Sequence, residues 1–210
     1  MHEKVISKKA VALLEKMGKA SSPLLEGWML AGGTGLALQL GHRISDDFDF
    51  FRTDNFDTTK LHDILKQIGE YEMLQEEQNT LTVLMDGVKI SFFVIKDPFL
   101  FEAVQYRFFH IADIRDIALM KLVAISGRGS RKDFIDLYVL LRGGMSLPEY
   151  FTLLPKKYGK GRDNAYHILK SLTYFEDAER EPMPRMFEPF DWEECKRYFV
   201  RQGQAIVVPH

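Results

Sequence analysis

A chain of 210 residues, 46% hydrophobic and 28% charged, has the composition of an ordinary folded protein and the length for a real hydrophobic core. Its formal net charge of −2 removes any global basic signature, and its single cysteine, Cys195, excludes an intrachain disulfide framework and a cysteine-rich zinc site. No apolar run approaches membrane-spanning length, and Met1-His2-Glu3-Lys4 does not lead into the apolar run of a signal peptide, so a cytoplasmic protein with no membrane role is expected.

Helical spacing predicts a first helix over Val5 to Met17, ended or interrupted by Ser21-Ser22-Pro23. Trp28 to Ala31 is a short apolar run bounded by glycines and reads as a strand, with a helix from Thr34 to Gly41 directly after it. A second strand is marked by Phe48, Phe50 and Phe51 and also contains Asp47 and Asp49. Asp57 is placed to cap a helix over Thr59 to Ile68. Strands are expected over Thr80 to Met85 and Val88 to Ile95, turned by Asp86-Gly87, and a short one over Arg107 to Ile111. The pattern is helical from Asp113: Asp113 to Ser126, Arg131 to Leu141, a start at Ser146-Leu147-Pro148-Glu149, then Asp163 to Ala178 and Trp192 to Val200. Glu181 to Pro189 holds three prolines and reads as a loop. The class is therefore α+β, with a mixed-sheet lobe over 1–112 and a helical lobe over 113–210 that is expected to complete a cleft.

Side chains alternate along a strand, so Asp47 and Asp49 share a face while Phe48 and Phe50 turn to the core. Two carboxylates held about 7 Å apart repel unless a cation lies between them. Hard oxygen donors of this kind suit Mg²⁺, which also accepts substrate phosphate oxygens. Upstream, Gly32-Gly33-Thr34 joins a strand to a helix, where glycines admit a phosphate close to the backbone and the helix start offers free N–H groups. The Thr34 hydroxyl is a further candidate donor. Alone, a Gly-Gly pair is usually a tight turn and an Asp-x-Asp pair solvated surface; in this order and separation they are more specific.

Gly32-Gly33-Thr34-Gly35-Leu36-Ala37-Leu38, followed by Gly41-His42-Arg43-Ile44-Ser45-Asp46-Asp47-Phe48-Asp49-Phe50-Phe51, resembles the nucleotidyltransferase superfamily that includes DNA polymerase beta. More closely it resembles the AbiEii type, toxins of abortive-infection and toxin–antitoxin systems. The resemblance extends to about Leu141 and implies a polymerase-beta-like lobe, NTP and Mg²⁺ as ligands, and a cognate antitoxin.

Lys121 stands alone in a helix whose other residues, Ile117 to Ile125, are almost all apolar. A buried ammonium requires a partner or a polar cavity, although a lysine can also reach solvent along its own stem. It is expected to share a cleft with Asp49. On the next helix Phe134, Leu137, Tyr138 and Leu141 form a stripe, and Lys132 and Asp136 fall opposite, as a surface ion pair worth about 0.2–0.5 kcal/mol or as cleft residues. Lys121-Leu122-Val123-Ala124 and Arg131-Lys132-Asp133-Phe134-Ile135-Asp136-Leu137 resemble the late motifs of AbiEii-type proteins. The resemblance implies nucleotide binding by Lys121 and Lys132 and a catalytic role for Asp136. Many polymerase-beta-like enzymes carry a third carboxylate on a neighbouring strand; here Lys89 and Ser91 hold that face. Either Asp136 or Asp133 replaces it, or two carboxylates suffice, or the enzyme is weakened.

The leading expectation is transfer of an NMP from an NTP to an acceptor hydroxyl, with an RNA or tRNA 3′ end implied by the resemblance. Arg128, Arg131 and Lys132, and then Lys156, Lys157, Lys160 and Arg162, are the basic groups available to an RNA. A small-molecule acceptor, such as an antibiotic, is the alternative. A non-catalytic NTP- or partner-binding module is the third.

Overall fold

The computed structural model describes residues 1–20, 24–159 and 164–206, so Ser21-Ser22-Pro23, Lys160, Arg162 and Asp163 lie outside it. The chain forms two compact units, Met1–Pro98 with Glu102–Asp113, and Phe99–Phe101 with Ile114–His210. Among the described residues no helix is long and apolar enough to cross a membrane. The class is α+β.

In the first unit a 3₁₀ turn, Glu3–Val5, precedes α1 (Lys8–Lys19). Ser7 caps α1 by accepting from the Ala10 N–H. Then come β1 (Met29–Ala31), α2 (Gly32–Leu40), β2 (Phe48–Arg52), α3 (Thr58–Ile68), β3 (Tyr71–Glu77), β4 (Thr80–Met85), β5 (Val88–Val94), β6 (Val104–Tyr106) and β7 (Phe109–Ile111). The strands form one mixed sheet in the order β3-β4-β5-β2-β1-β7-β6. Asp86 and Gly87 both have positive φ, as a two-residue hairpin turn requires. The strand expected over Arg107 to Ile111 is instead β7 and part of a tight β6–β7 hairpin, turned at Arg107 (φ 51°) and Phe108. Strand β3 has no apolar alternation to announce it. It pairs only with β4 at the sheet edge, and nearly all of it is exposed.

Directly paired residues project on one face. Phe48 and Phe50 of β2 stand opposite Ile90 and Phe92 of β5, and all four are fully buried. Phe50 stacks on Phe92 at 5.7 Å between centroids and meets Phe109 edge-on at 5.5 Å. Asp49, Ser91 and Thr82 occupy the other face in one row across β2, β5 and β4.

The second unit is helical: α4 (Ile114–Arg128), α5 (Arg131–Gly143), α6 (Leu147–Tyr158), α7 (Ala165–Ser171), α8 (Glu176–Glu179) and α9 (Trp192–Ala205). The single helix expected over 163–178 is two, interrupted between Ser171 and Glu176. Ser146 and Glu149 form the capping box that starts α6. Phe134 is packed by Phe175, Trp192 and Phe199. Asp116 is fully buried, pairs with Lys157 at 2.7 Å, and accepts the Leu100 and Phe101 N–H groups. That charge explains why Phe99–Phe101 belong to the helical unit, since a buried carboxylate is tolerated only when paired and hydrogen-bonded.

Candidate active site

Strand β1 runs straight into α2, and the junction needs a left-handed residue: Gly32 has φ +64°. A Cβ at Gly32 would lie 2.8 Å from Asp49 Oδ2. The glycine thus leaves room for the Asp49 carboxylate directly beside the start of α2. Asp47 lies one residue before β2 rather than inside it, and its side chain is exposed. Asp49 is half-buried between its ladder partners Ala31 and Ser91.

Three further residues fix this corner. A Cβ at Gly33 would collide with Arg43 Nη2 and come within 3.2 Å of Ser45 Oγ. Arg43 is only 3% exposed, and its guanidinium also donates to the Ile44 carbonyl. The Thr34 hydroxyl is buried and engaged internally, in reach of Ser45 Oγ at 2.9 Å and in a short hydrogen bond to the Asp47 carbonyl. It is therefore turned away from a phosphate donor role and ties the helix start to the loop that carries Asp47.

The donor set bears on the ion. Among the described residues no three His, Cys, Asp or Glu groups cluster as a metal cage. An exposed and a half-buried carboxylate fit a cation that keeps water and phosphate oxygens in its shell, which is the habit of Mg²⁺. The strand place of a third acid is held by Ser91, 2% exposed and bonded to Thr82 Oγ1 at 3.3 Å.

In the second unit, Lys121 is buried on α4, 2.8 Å from Asp133 and 2.6 Å from Asp136 on α5. Arg128 closes the cluster with a two-pronged contact to Asp133, at 2.6 and 2.9 Å. Burial opposes the Lys121 charge, but the Asp136 and Asp133 carboxylates outweigh it and raise its pKa above 10.5. Burial likewise pushes Asp133 upward, but Lys121 and Arg128 hold it below the usual carboxylate value of 3.8. The expectation that Lys132 and Asp136 share one open side of the helix is not met. Lys132 is exposed, whereas Asp133 to Leu137 are all buried and Asp136 turns onto α4. The cause is the Lys121 ammonium, which draws both aspartates inward.

The basic groups are less available than their spacing implied. Arg131 bonds the Ala178 carbonyl and Glu179 and lies over Trp192, and Lys157 is buried against Asp116.

Residues 13–205 match the family described as the nucleotidyl transferase AbiEii toxin of type IV toxin–antitoxin systems. This chain belongs to the AbiEii nucleotidyltransferase family. An uncharacterized protein of Aquifex aeolicus (strain VF5) is 41% identical over 195 residues, covering 90% of this chain and 91% of its own. In fold the chain is similar to JHP933 of Helicobacter pylori, with a TM-score of 0.56 at 19% identity over 95% of this chain and 92% of the other. It is also similar to MenT4, a nucleotidyltransferase toxin of Mycobacterium tuberculosis H37Rv, with a TM-score of 0.58 at 15% identity over 95% and 85%. The AbiEii membership makes the protein a nucleotidyltransferase of the toxin type.

Of the residues named from sequence, the structure brings Gly32, Gly33, Thr34 and Asp49 together with Asp47 adjacent, and separately joins Lys121 to Asp136. Arg43 and Ser45 were missed. Both lie inside the resembling stretch Gly41 to Phe51, but nothing in their spacing says that they reach back under Gly33 and Thr34.

Proposed function

We propose that this AbiEii enzyme transfers an NMP from an NTP to an acceptor hydroxyl in a Mg²⁺-dependent reaction. The observation that carries the proposal is the seat of the Asp49 carboxylate against Gly32, at the first turn of α2 and two residues after the exposed Asp47. There the start of α2 offers backbone N–H groups beside Asp49, and Asp47 precedes it by two residues. Asp47 and Asp49 would hold Mg²⁺, which supplies charge neutralisation at the phosphates. Gly32 and Gly33, whose Cα faces are taken by Asp49 and Arg43, would offer the triphosphate their backbone N–H groups. Arg43, Thr34 and Ser45 keep the turn and the Asp47 loop in register. Lys121 and Lys132 are assigned to nucleotide binding and Asp136 to catalysis, on the family resemblance. Because Asp136 is in contact with the Lys121 ammonium, its first task is to hold Lys121 charged and oriented.

An RNA 3′ end, such as that of tRNA, is the acceptor the family resemblance supports, and the biological role is that of a cytoplasmic toxin controlled by an antitoxin. The internal engagement of Arg128 and Arg131 favours a small-molecule acceptor as the second reading. Incubation with α-labelled NTPs, Mg²⁺ and total tRNA tests both. Label on RNA that disappears in Asp47→Asn and Asp49→Asn supports the first. Label on a small molecule alone supports the second, and no metal-dependent turnover of any NTP refutes the proposal.

A further inference from the structure

The first unit holds a cavity that the nucleotidyl-transfer corner does not use. It is an open groove rather than an enclosed pocket, with a volume of about 460 Å³. It lies at the opposite end of β1 and β2, since its residues Trp28 and Arg52 flank the β1–β2 register at Met29↔Phe51. Arg52 shares strand parity with Phe48 and Phe50, so the cavity opens on the face of the sheet away from Asp49.

Its walls are aromatic and aliphatic: Trp28 meets Phe56 edge-on at 5.1 Å, and Leu61 and Ile64 of α3 complete the apolar side. The polar element is Arg52, whose guanidinium lies over the Trp28 ring at 5.2 Å. Among the described residues Arg52 Nε is buried without a hydrogen-bond partner. Its ion-pair partner, Asp54, is 85% exposed and reaches Nη2 only at 4.0 Å. An enclosed donor without an acceptor is costly, and the guanidinium edge matches the two oxygens of a carboxylate. Gly27 places no side chain against Nη2, since a Cβ there would sit 3.6 Å away, and φ +76° disfavours any other residue.

The rim carries charges of both signs, with the exposed Glu26 and Asp57 beside Lys60, so the group that would take an anion is the Arg52 guanidinium at the aromatic wall. Asp57 is engaged as the cap of α3, accepting the Lys60 N–H, and the Trp28 face that could attract a cation is covered by Arg52. Lys60, 81% exposed at the mouth, is 3.8 Å from the other Asp57 oxygen, a solvent-exposed pair whose ammonium can still reach a bound carboxylate.

We propose that this cavity is a binding site for a small organic carboxylate with an aromatic or aliphatic body, its carboxylate paired with Arg52 and its body against Trp28 and Phe56. Binding turns the Arg52 edge onto the carboxylate and gives the Nε–H its acceptor.

The test is titration of the ¹⁵N-labelled full chain with 3-phenylpropionate, its neutral amide, and acetate, read at the Arg52 Nε–H and Trp28 indole N–H signals. Trp192 serves as the internal reference. Saturable shifts at both Arg52 and Trp28 are expected with phenylpropionate, with about tenfold weaker binding of the amide and none resolved for acetate. Arg52→Gln should abolish the preference for acid over amide. Lys60→Glu, on an exposed rim that folding does not depend on, should weaken phenylpropionate several-fold and keeps the test valid if Arg52→Gln fails to fold. Equal binding of acid and amide, an absence of shifts at Arg52, or an unchanged affinity in Lys60→Glu overturns the proposal.

Discussion

Lys121→Met removes one ammonium while keeping the length and apolar stem of the side chain. An isolated lysine on an apolar helix would tolerate this, and the change would then damage nucleotide handling more than folding. The contacts predict otherwise. Asp133 and Asp136 lie 2.8 and 2.6 Å from the ammonium, with side chains 1% and 0% exposed. Removing one partner of a buried ion pair costs about 3–5 kcal/mol, because the remaining charge is left in a low-dielectric site. Arg128 still holds Asp133, which places the expected loss near the lower end, about 3 kcal/mol. For a chain of 210 residues that is a fall of about 6–12 °C in Tm. Calorimetric unfolding, with chemical denaturation as a second measure, gives the number. The matching control is Lys121→Met combined with Asp133→Asn and Asp136→Asn, which removes the stranded charges and should recover part of the loss. A Lys121→Met protein within about 1 kcal/mol of wild type would refute the reasoning, since no buried ion cluster could then depend on that ammonium.

The same cluster sets a pH dependence. The Asp133 pKa is lowered, so its contribution is present above the unfolded value near 3.8 and is lost as pH falls through the folded one; the Lys121 pKa is raised, so its contribution is present below 10.5 and is lost as pH rises past the folded value. The Tm difference between wild type and Lys121→Met should therefore be flat from about pH 5 to 9 and narrow below pH 4, and a steady drift across neutrality would contradict it. Gly32→Ala places a Cβ in a left-handed position and 2.8 Å from Asp49 Oδ2, so it should cost about 1–2 kcal/mol of stability and most of the turnover; wild-type turnover would show that the Asp49 seat is not needed. Asp47→Asn should abolish metal-dependent turnover with Tm unchanged or raised, because repulsion between the two carboxylates is relieved; a large fall in Tm with turnover intact would count against the site.

The elements legible in the sequence were those with a local cause. Asp57 capping α3, the Asp86-Gly87 turn, Ser146 with Glu149, and Gly32-Gly33 between strand and helix each act over a few residues, so spacing was enough. Strand β3 was not legible, because an exposed edge strand draws its order from backbone pairing with β4 and carries no hydrophobic pattern. Strand β6 and the β6–β7 turn are not legible, and Arg107 falls inside the expected strand, because the turn uses Arg107 at positive φ, a position where glycine or asparagine is the usual signal. The transfer of Phe99–Phe101 to the helical unit rests on a carboxylate 15–16 residues away, which no local pattern reports.

At the candidate site, strand alternation alone puts Asp49 on the face opposite Phe48 and Phe50, whereas Asp47, expected in the same strand, lies one residue before it. Helical spacing turns Asp136 to the open side of α5, and the structure turns it inward onto Lys121. A helical wheel ranks Asp133 and Asp136 as polar and turns them outward, and it contains no term for a cation on another helix. Lys121 supplies that cation. Its isolation among apolar residues and the two aspartates three residues apart are both visible in the sequence, but local spacing directs Lys121 to Asp49 and does not join it to the aspartates of the next helix. A buried lysine requires acceptors, and with Asp116 taken by Lys157 they come from two acidic residues on one stretch of the next helix. The apolar stripe of α5 then cannot be its only inward face. Phe134 and Leu137 pack one side while Asp133 and Asp136 meet α4, which is why five consecutive residues of this helix are buried. The helix is held by an ion cluster as well as by a core, and its integrity is tied to the charge state of Lys121.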